Sequence, residues 1–326
     1  MRAGRPDIDG GVGIAGPDEL GDVRRFSHEA MATIFEVYAE HPDAQYAAQA
    51  AQATFAIVDR LEGELSRFVS NSDIARINNL AAGESVRVGR SAIECLLIAR
   101  HLFDLTGGAF DISIGTGLPT LDLDADSCIV HSTEDGVRVD LGGIGKGYAV
   151  DLMAELLEEW GIERALIHGG FSSVLTLDAA AAREGWPLTL SDPAAPSRVL
   201  ARLSVQQTAL GASGIRKGDH IVDPRTNTPA CERLAAWVAL RRPAPSSAGA
   251  EDGPRIAAGA VTDALATAFM LLSPEEIATI CKTSPGLEAW ILLGAAEGRA
   301  DETSLLHFRS ESEGAPPFGH PTVGGD

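Results

Sequence analysis

Four closely spaced glycines between Asp140 and Asp151 constrain the fold of this 326-residue chain more than any other stretch. A strand-like run, Val137 to Leu141, leads into the glycines, and a helix-like run, Tyr148 to Trp160, follows them. Glycine tolerates positive φ and lets another backbone or a ligand approach closely. The start of a helix also presents unpaired N–H groups and the positive end of the helix dipole, which suits phosphate. The glycine loop, residues 140–147, therefore predicts either a phosphate site or a tight turn at a close helix–sheet contact.

The glycine loop matches neither of two common phosphate-binding motifs. A P-loop requires Ser or Thr directly after its lysine, whereas Lys146 is followed by Gly147. The Gly-x-Gly-x-x-Gly pattern of dinucleotide-binding proteins fails in its last position from either possible start. Asp140 and Lys146 place charges of both signs beside the glycines, so the loop has a charge pattern of its own.

The composition indicates an ordinary globular protein with an acidic surface. The chain has 45% hydrophobic and 22% charged residues and a formal net charge of −20. We expect no nucleic-acid partner and no docking on anionic lipid, because both require a basic surface. Residues 1–23 lack the apolar run of a signal peptide, and no stretch reaches the roughly 20 apolar residues of a transmembrane helix. We therefore expect no membrane insertion and a cytoplasmic location.

The cysteines agree with that location. They are widely spaced and form no cluster with zinc-binding spacing, which indicates free thiols in a reducing compartment. The four residues are Cys95, Cys128, Cys231 and Cys281.

Apolar periodicity predicts interleaved helices and strands, in an α+β or α/β arrangement. Helices are predicted at 43–68, 91–106 and 260–272, with Ser91 as an N-cap, and Ser273, Pro274 and Glu276 form a capping box for another. Strands are predicted at 35–39, 165–167, 174–177, 188–190, 199–205, 237–240 and 289–293. We expect a disordered leader over residues 1–24, a surface insertion over 241–259 and a disordered tail over 309–326.

Two further clusters contain residue types that are common in active sites. In segment 220–229, His220 and Asp223 are three residues apart; on a strand they face opposite sides, so they form no simple His–Asp pair. Asn227 in that segment suits a left-handed turn position. Asp263 and Thr267 share one face of a predicted helix, where a carboxylate and a hydroxyl suit a hard cation such as Mg²⁺. Alternatively, segment 220–229 is a structural loop, and Thr267 bonds back to its own helix.

Other motifs are incomplete. The acidic segment 122–126 lacks the Gly and Glu that an EF-hand requires, so we predict a solvated loop there rather than a calcium site. Segment 211–215 fails the Gly-x-Ser-x-Gly pattern of esterases in its last position, and no His-Glu-x-x-His is present. Segment 107–111 is a glycine-rich turn that ends in a carboxylate.

Six segments, taken in order along the chain, resemble the ApbE-type FAD:protein FMN transferases. The resemblance covers about residues 26–295, and the glycine loop and the His-x-x-Asp-Pro-x-Thr segment are its most specific parts. The segments are Met31-Ala-Thr33, Leu65-Ser-Arg-Phe68, Thr106-Gly-Gly-Ala-Phe-Asp111, residues 140–151, His220-Ile-Val-Asp-Pro-Arg-Thr226 and Asp263-Ala-Leu-Ala-Thr267.

The resemblance implies an α+β fold over residues 25–308, a single large domain of mixed sheets and packed helices with a T-fold-like flavin transferase architecture. Members of this family use Mg²⁺ to transfer FMN from FAD to a Thr or Ser hydroxyl of an acceptor protein, releasing AMP. Some members hydrolyse FAD to FMN and AMP instead. The expected partners are therefore FAD, as substrate, and an acceptor flavoprotein. An FAD pyrophosphatase and a flavin-binding protein without turnover are the alternatives.

The resemblance also implies roles for individual residues. Asp263, Thr267 and the main-chain carbonyl of Gly143 are expected to bind Mg²⁺. His220 is expected to lie beside the pyrophosphate and to assist the acceptor hydroxyl, and Asp263 is also expected to be essential for catalysis. The residues expected to contact FAD are Met31, Phe68, Ala109, Phe110, Asp111, Asp140, Lys146 and Val222.

Overall fold

The computed structural model describes residues 12–14, 22–181, 183–214, 221–230, 233–242, 257–294 and 304–310. Helices in these ranges are α1 (Ala44–Leu65), α2 (Asp73–Ile77), α3 (Arg90–Leu105), α4 (Gly145–Glu159), α5 (Ala258–Ala268) and α6 (Pro274–Thr283). Strands β1 to β8 are Val12–Ile14, Val23–Ala30, Thr33–Glu40, Ser85–Arg87, Leu121–Asp124, Ile129–Ser132, Ala165–Gly169 and Ser173–Thr176. Strands β9 to β16 are Trp186–Ser191, Val199–Val205, Thr208–Gly214, Val222–Asp223, Thr228–Pro229, Arg233–Arg241, Leu287–Leu293 and Ser304–Arg309.

An antiparallel sheet of eight strands forms the centre of the fold, in the order β16-β15-β14-β11-β8-β7-β3-β2. Successive side chains of a strand point to opposite faces, and along β14 both sets are buried. Ala236 and Val238 join a core with α1, α4 and α5, whereas Ala235 and Trp237 join a second core with β9 and β10. The fold is thus a mixed α/β single domain, as the resemblance implies, with helices on one face of the large sheet and a small sheet on the other.

The small sheet has the order β1-β9-β10, and its first strand contacts the turn between β7 and β8. The N–H of Val12 donates to the carbonyl of Phe171 at 2.8 Å, and the Nε2 atom of His168 lies 3.1 Å from the carbonyl oxygen of Val12. His168 is 1% exposed, and burial lowers the pKa of its ring. The His168-Gly-Gly-Phe171 segment therefore anchors β1.

Most predicted helices and strands are present, with shifted ends. Helix α3 begins at Arg90, and its N-cap residue is Gly89 rather than Ser91. The predicted capping box at Ser273 is confirmed, because its hydroxyl accepts from the Glu276 N–H and the Glu276 carboxylate accepts from the Ser273 N–H. Residues 137–141 are not a strand, although Val137, Val139 and Leu141 are buried. Residues 121–124 are strand β5 rather than part of a solvated loop.

The predicted limits of the ordered region need correction. The disordered leader expected over 1–24 is wrong for Val12–Ile14, which form β1, and for residues 23 and 24, which begin β2. The insertion expected over 241–259 overlaps the end of β14 and the start of α5, and the tail expected from 309 overlaps the last residue of β16. The remaining residues of the three segments lie largely outside the described ranges.

Two observations bear on the predicted environment of the protein. Cys95, Cys128 and Cys281 are free thiols, and Cys231 lies outside the described residues. Among the helices that the structure describes, none combines the length and the apolar character needed to cross a membrane.

Candidate active site

A cavity of about 770 Å³ opens at the end of the central sheet where β3 begins, β7 turns into β8 and β11 ends. Its wall combines these strand ends with residues 109–114, the glycine loop, residues 221–227 and one face of α5. Ten of the twelve residues predicted for the site line it: Met31, Ala109, Phe110, Asp111, Asp140, Gly143, Lys146, Val222, Asp263 and Thr267. Segments that are far apart in sequence thus converge on one chamber.

The two other predicted residues are Phe68 and His220. Phe68 lines an adjoining cavity of about 230 Å³, which shares Met31, Arg67, Asp140 and Lys146 with the main one. Its ring is 82% exposed, so it is available to a ligand at the cavity mouth. His220 falls outside the described residues, and its predicted role stays a prediction.

Asp263 connects α5 to the glycine loop. Its Oδ2 atom accepts a hydrogen bond from the N–H of Gly147 at 3.0 Å and lies 3.6 Å from Nζ of Lys146. The lysine Nζ also donates to the carbonyl of Gly142 at 3.2 Å. Asp263 is only 3% exposed, and a buried carboxylate requires such partners. A main-chain N–H group of the glycine loop and the lysine beside it thus both contact this carboxylate.

Thr267 lies one turn further along α5. Its hydroxyl is 3.1 Å from the hydroxyl of Ser213 at the end of β11 and 3.3 Å from the carbonyl oxygen of Asp263. A Cβ atom built on Gly143 would lie 3.6 Å from the Thr267 hydroxyl oxygen, so the glycine loop and α5 are neighbours here. Ser213 was not among the residues predicted for the site.

The oxygen atoms at this point fit a hard divalent cation. Mg²⁺ is usually held by one or two carboxylates, with water and substrate phosphate completing its shell. The buried Asp263 supplies one carboxylate, and the hydroxyls of Thr267 and Ser213 lie beside it. No group of three or more His, Cys, Asp or Glu side chains arranged for a metal occurs in the described part of the chain. The donor set therefore suits an ion that depends on a phosphate ligand rather than one held by protein alone.

Asp111 shapes another part of the cavity wall through its own loop. Its Oδ1 atom accepts from the N–H and the hydroxyl of Ser113, and its Oδ2 atom accepts from the N–H of Gly115, all at 2.7 to 2.8 Å. Ile114 at the tip of this loop has φ of 49° and is 56% exposed. A β-branched residue at positive φ is strained, so the Asp111 bonds hold a backbone shape that the sequence disfavours.

Arg67 belongs to the Leu65–Phe68 segment and lines the cavity, although it was not among the predicted site residues. Its Nε atom lies 3.0 Å from Oδ2 of Asp140, whose Oδ1 atom accepts the N–H of Gly142 at 2.9 Å. The guanidinium carbon is 4.6 Å from the centre of the Phe68 ring, a cation–π distance. Arg67 therefore lines both cavities and joins their walls.

The segment after His220 forms a further wall. Val222, Pro224 and Asn227 line the cavity, and Asn227 has φ of 58°, which confirms the predicted left-handed turn. Asp223 pairs with the Arg225 guanidinium through both carboxylate oxygens, at 2.9 and 2.8 Å. That pairing lowers the pKa of Asp223. This ion pair therefore stabilises the turn, while its neighbours Val222, Pro224 and Asn227 line the cavity.

Known proteins share this sequence pattern and this fold. The chain is 26% identical over 327 residues to the FAD:protein FMN transferase of Treponema pallidum, covering 84% of this chain and 86% of that protein. Its fold is similar to that of the flavin transferase ApbE from Vibrio cholerae, with a TM-score of 0.71, 18% identity and coverage of 89% of this chain and 98% of the other. The ApbE protein from Thermotoga maritima gives a TM-score of 0.71 at 21% identity, covering 89% and 97%. A sequence model of the ApbE family matches residues 31–291, so the chain belongs to the ApbE family.

Proposed function

We propose that this chain transfers FMN from FAD to a Thr or Ser hydroxyl of an acceptor protein and releases AMP. The observation that carries the proposal is the meeting of Lys146 and the glycine loop with Asp263 and Thr267 in one cavity of about 770 Å³. Ligand-binding cavities commonly measure about 300 to 1,000 Å³, so the space suits a dinucleotide. The name of the similar protein from Treponema pallidum, FAD:protein FMN transferase, supports the transfer of FMN from FAD to a protein.

Mg²⁺ belongs to this proposal as a cofactor. The carboxylate of Asp263, the hydroxyl of Thr267 and the main-chain carbonyl of Gly143 would hold it, and the hydroxyl of Ser213 lies next to them. When bound, Mg²⁺ neutralises negative charge on the oxygens of the pyrophosphate. The single carboxylate leaves the ion's other positions to substrate oxygens, which would couple metal binding to FAD binding.

The transfer step requires one bond to form and one to break. The acceptor hydroxyl oxygen bonds to the phosphorus of the FMN half, and the bond from that phosphorus to the bridging oxygen breaks. AMP leaves with that oxygen and its electron pair. Lys146 places a positive charge where negative charge develops on the phosphate oxygens. The proton of the acceptor hydroxyl goes to His220, whose ordinary pKa near 6.5 suits proton transfer at neutral pH.

The remaining walls suit the flavin. Met31, Phe110 and Val222 supply apolar surface in the main cavity, and the exposed Phe68 ring lies at the neighbouring opening. Aromatic and apolar side chains bind planar ring systems by stacking and by removing their surface from water. We place the reaction in the cytoplasm, because the free cysteines suit a reducing compartment.

A single assay tests the proposal. The full chain is incubated with FAD, Mg²⁺ and candidate acceptor flavoproteins, and AMP, free FMN and protein-bound flavin are measured. AMP with a flavin-labelled acceptor supports transfer, whereas AMP with free FMN alone indicates hydrolysis by water. FAD binding without AMP indicates a flavin-binding protein, and absence of FAD binding contradicts the proposal.

The role of His220 is tested separately. We expect His220→Ala to slow AMP release far more than it weakens FAD binding, because the histidine is proposed to act on the acceptor hydroxyl. His101→Ala removes an exposed histidine of α3 and serves as the control, with unchanged rates expected. Equal AMP release by the two variants would contradict the role of His220.

A further inference from the structure

Helices α4 and α5 carry the same pattern, which begins in the first turn of each helix: Gly147-Tyr-Ala-Val-Asp151 and Gly259-Ala-Val-Thr-Asp263. The two glycines lie against each other. A Cβ atom on Gly147 would overlap the carbonyl oxygen of Gly259, and a Cβ atom on Gly259 would overlap the carbonyl oxygen of Gly147. The helices can therefore approach at this distance only because both positions are glycine.

Neither helix has a capping side chain of its own. The N-cap residues are Ile144 for α4 and Ala257 for α5, and neither side chain accepts a hydrogen bond. The first turn of a helix nevertheless leaves N–H groups without an intrahelical partner, and burying them unpaired is costly. These two helix starts are buried, so the acceptors must come from elsewhere.

Each helix caps the other with the aspartate of the shared pattern. Asp263 of α5 accepts the Gly147 N–H at 3.0 Å through Oδ2. Asp151 of α4 accepts the N–H groups of Gly259 and Ala260 at 2.8 and 2.9 Å, one through each carboxylate oxygen. Each carboxylate also lies near the positive end of the other helix, where negative charge is stabilising. The result is a reciprocal cap that holds the start of α5 against the start of α4.

The two aspartates differ in what remains free. Asp151 is 7% exposed, engages both oxygens with main-chain N–H groups and does not line the cavity. Asp263 lines the cavity, and in the described part of the chain its Oδ1 atom has no hydrogen-bond partner. Within the described residues, main-chain N–H groups thus engage both oxygens of Asp151 but only one oxygen of Asp263.

We infer that Asp151 is a positioning residue for the metal-binding face of α5. Its two hydrogen bonds hold α5 where Asp263 reaches Gly147 and where Thr267 lies beside Gly143. Oxygen ligands bind a cation well only when their supports fix them in place. This inference rests on the proposed function, because it concerns the Mg²⁺ site named there.

The test compares Asp151→Ala and Asp151→Asn with Met153→Ala in the full chain. Met153 is fully buried on the same helix and lines neither cavity, so its truncation lowers stability through packing alone. Two quantities are measured: the melting temperature without ligands, and the Mg²⁺ concentration that gives half-maximal FAD binding, followed by flavin fluorescence. The second quantity reports ligand placement and needs no turnover.

We expect Asp151→Ala to raise the half-saturating Mg²⁺ concentration roughly tenfold, as loss of a buried cap and its charge would. Asp151→Asn keeps one accepting oxygen, so we expect a smaller rise; it decides the matter if Asp151→Ala does not fold. Met153→Ala is expected to lower the melting temperature while leaving the Mg²⁺ requirement unchanged.

Two results would overturn the inference. If the Asp151 variants keep a Mg²⁺ requirement within about a factor of two of wild type, Asp151 only stabilises the fold. If Met153→Ala shifts that requirement as much as Asp151→Ala does, general loosening explains the shift. If FAD binding by the wild-type chain does not depend on Mg²⁺, the proposed function itself is contradicted. This result concerns the wild type alone, so it is distinguishable from the two results for the variants.

Discussion

The Nε atom of Arg67 lies 3.0 Å from Oδ2 of Asp140, and both side chains line the main cavity. Asp140 also holds the glycine loop, because it accepts the N–H of Gly142. The guanidinium therefore offsets the negative charge of a carboxylate that faces the space where phosphate is proposed to bind. Arg67 and Lys146 together make this part of an acidic protein locally favourable to an anion.

Replacing Arg67 with Gln removes that offset and leaves Asp140 facing the ligand. We expect FAD binding to weaken roughly two- to fivefold, since Arg67 is half-exposed and solvent screens its charge. Riboflavin carries no phosphate, so its binding should not change. The control is Arg60→Gln, which breaks an exposed ion pair with Glu64 on α1. Equal weakening of FAD and riboflavin in the Arg67 variant would point to packing on Phe68 instead of charge.

Asp263 can be altered in its charge while its acceptor atom is kept. Asp263→Asn retains an oxygen for the Gly147 N–H, so we expect a melting temperature close to wild type and Mg²⁺-dependent AMP release reduced at least about a hundredfold. Asp263→Ala removes the acceptor as well and should also lower stability, by about 1 to 3 kcal/mol. Calorimetry and an AMP assay separate the two effects. Wild-type rates in Asp263→Asn would remove the carboxylate charge from the reaction.

The glycine contact between α4 and α5 predicts opposite outcomes for two Gly→Ala substitutions in helices. Gly147→Ala drives a methyl group into the backbone of Gly259, and we expect a loss of about 3 kcal/mol or more, or failure to fold. Gly63→Ala in α1 meets no atom within 4 Å, so helix propensity alone should stabilise the chain by roughly 0.5 to 1 kcal/mol. Urea denaturation compares the two. A mild effect at Gly147 would mean that the helices can move apart cheaply.

Asp151 also predicts a dependence of stability on pH. Burial raises the pKa of this carboxyl to about 7, while the N–H groups of Gly259 and Ala260 act in the lowering direction. The unfolded chain has the ordinary value near 3.9. The folded state therefore binds the proton more tightly, and this contribution to stability is complete below about pH 4 and lost as the pH rises through about 7.

The matching measurement is the free energy of unfolding of wild type and Asp151→Asn at several pH values. We expect the free energy of unfolding of the wild type to fall relative to that of Asp151→Asn as the pH rises from 4 to 7, by up to about 4 kcal/mol. Above pH 7 the difference should level off. A pH-independent difference would show that the two N–H groups outweigh burial and keep the carboxyl ionised.

Local signals account for the features that the sequence predicted well. The apolar stripe of α1 and the capping box at Ser273 depend on residues within one helix, so spacing alone reveals them. Strand β11 was not predicted, because Gly211-Ala-Ser-Gly214 has little strand propensity. Gly211 is required for a reason that the spacing of residues does not show, because a Cβ atom at this position would overlap the backbone of Thr262 in α5.

Residues 137–141 were predicted as a strand for the opposite reason. Their apolar alternation is real, since Val137, Val139 and Leu141 are buried. Their main-chain bonds, however, go to loops rather than to a neighbouring strand: the Val139 N–H donates to the Asn78 side chain and the Asp140 N–H to the Ile112 carbonyl. Alternation reports burial on one side and does not identify the hydrogen-bond partner.

Most residues that line the candidate site were predicted through their motifs, whereas the contacts between them were not. The resemblance supplied Asp263, Thr267 and the glycine loop, but the reciprocal capping by Asp151 depends on two helices more than a hundred residues apart in sequence. Ser213 and Arg67 were also missed as site residues, since each acquires its place only when strand or loop meets a distant partner.

Strand β1 gives the start of the chain an influence on the cavity. The carbonyl oxygen of Val12 is within hydrogen-bond distance of the buried His168 ring, and its N–H donates to the carbonyl of Phe171. Gly170, between these two residues in sequence, lines the cavity. A chain trimmed to begin at Asp22 would lose these partners, although every motif residue would be intact. Trimming or fusing at this end would therefore alter the wall of the cavity, and low activity of a truncated chain would not show that the missing residues take part in the chemistry.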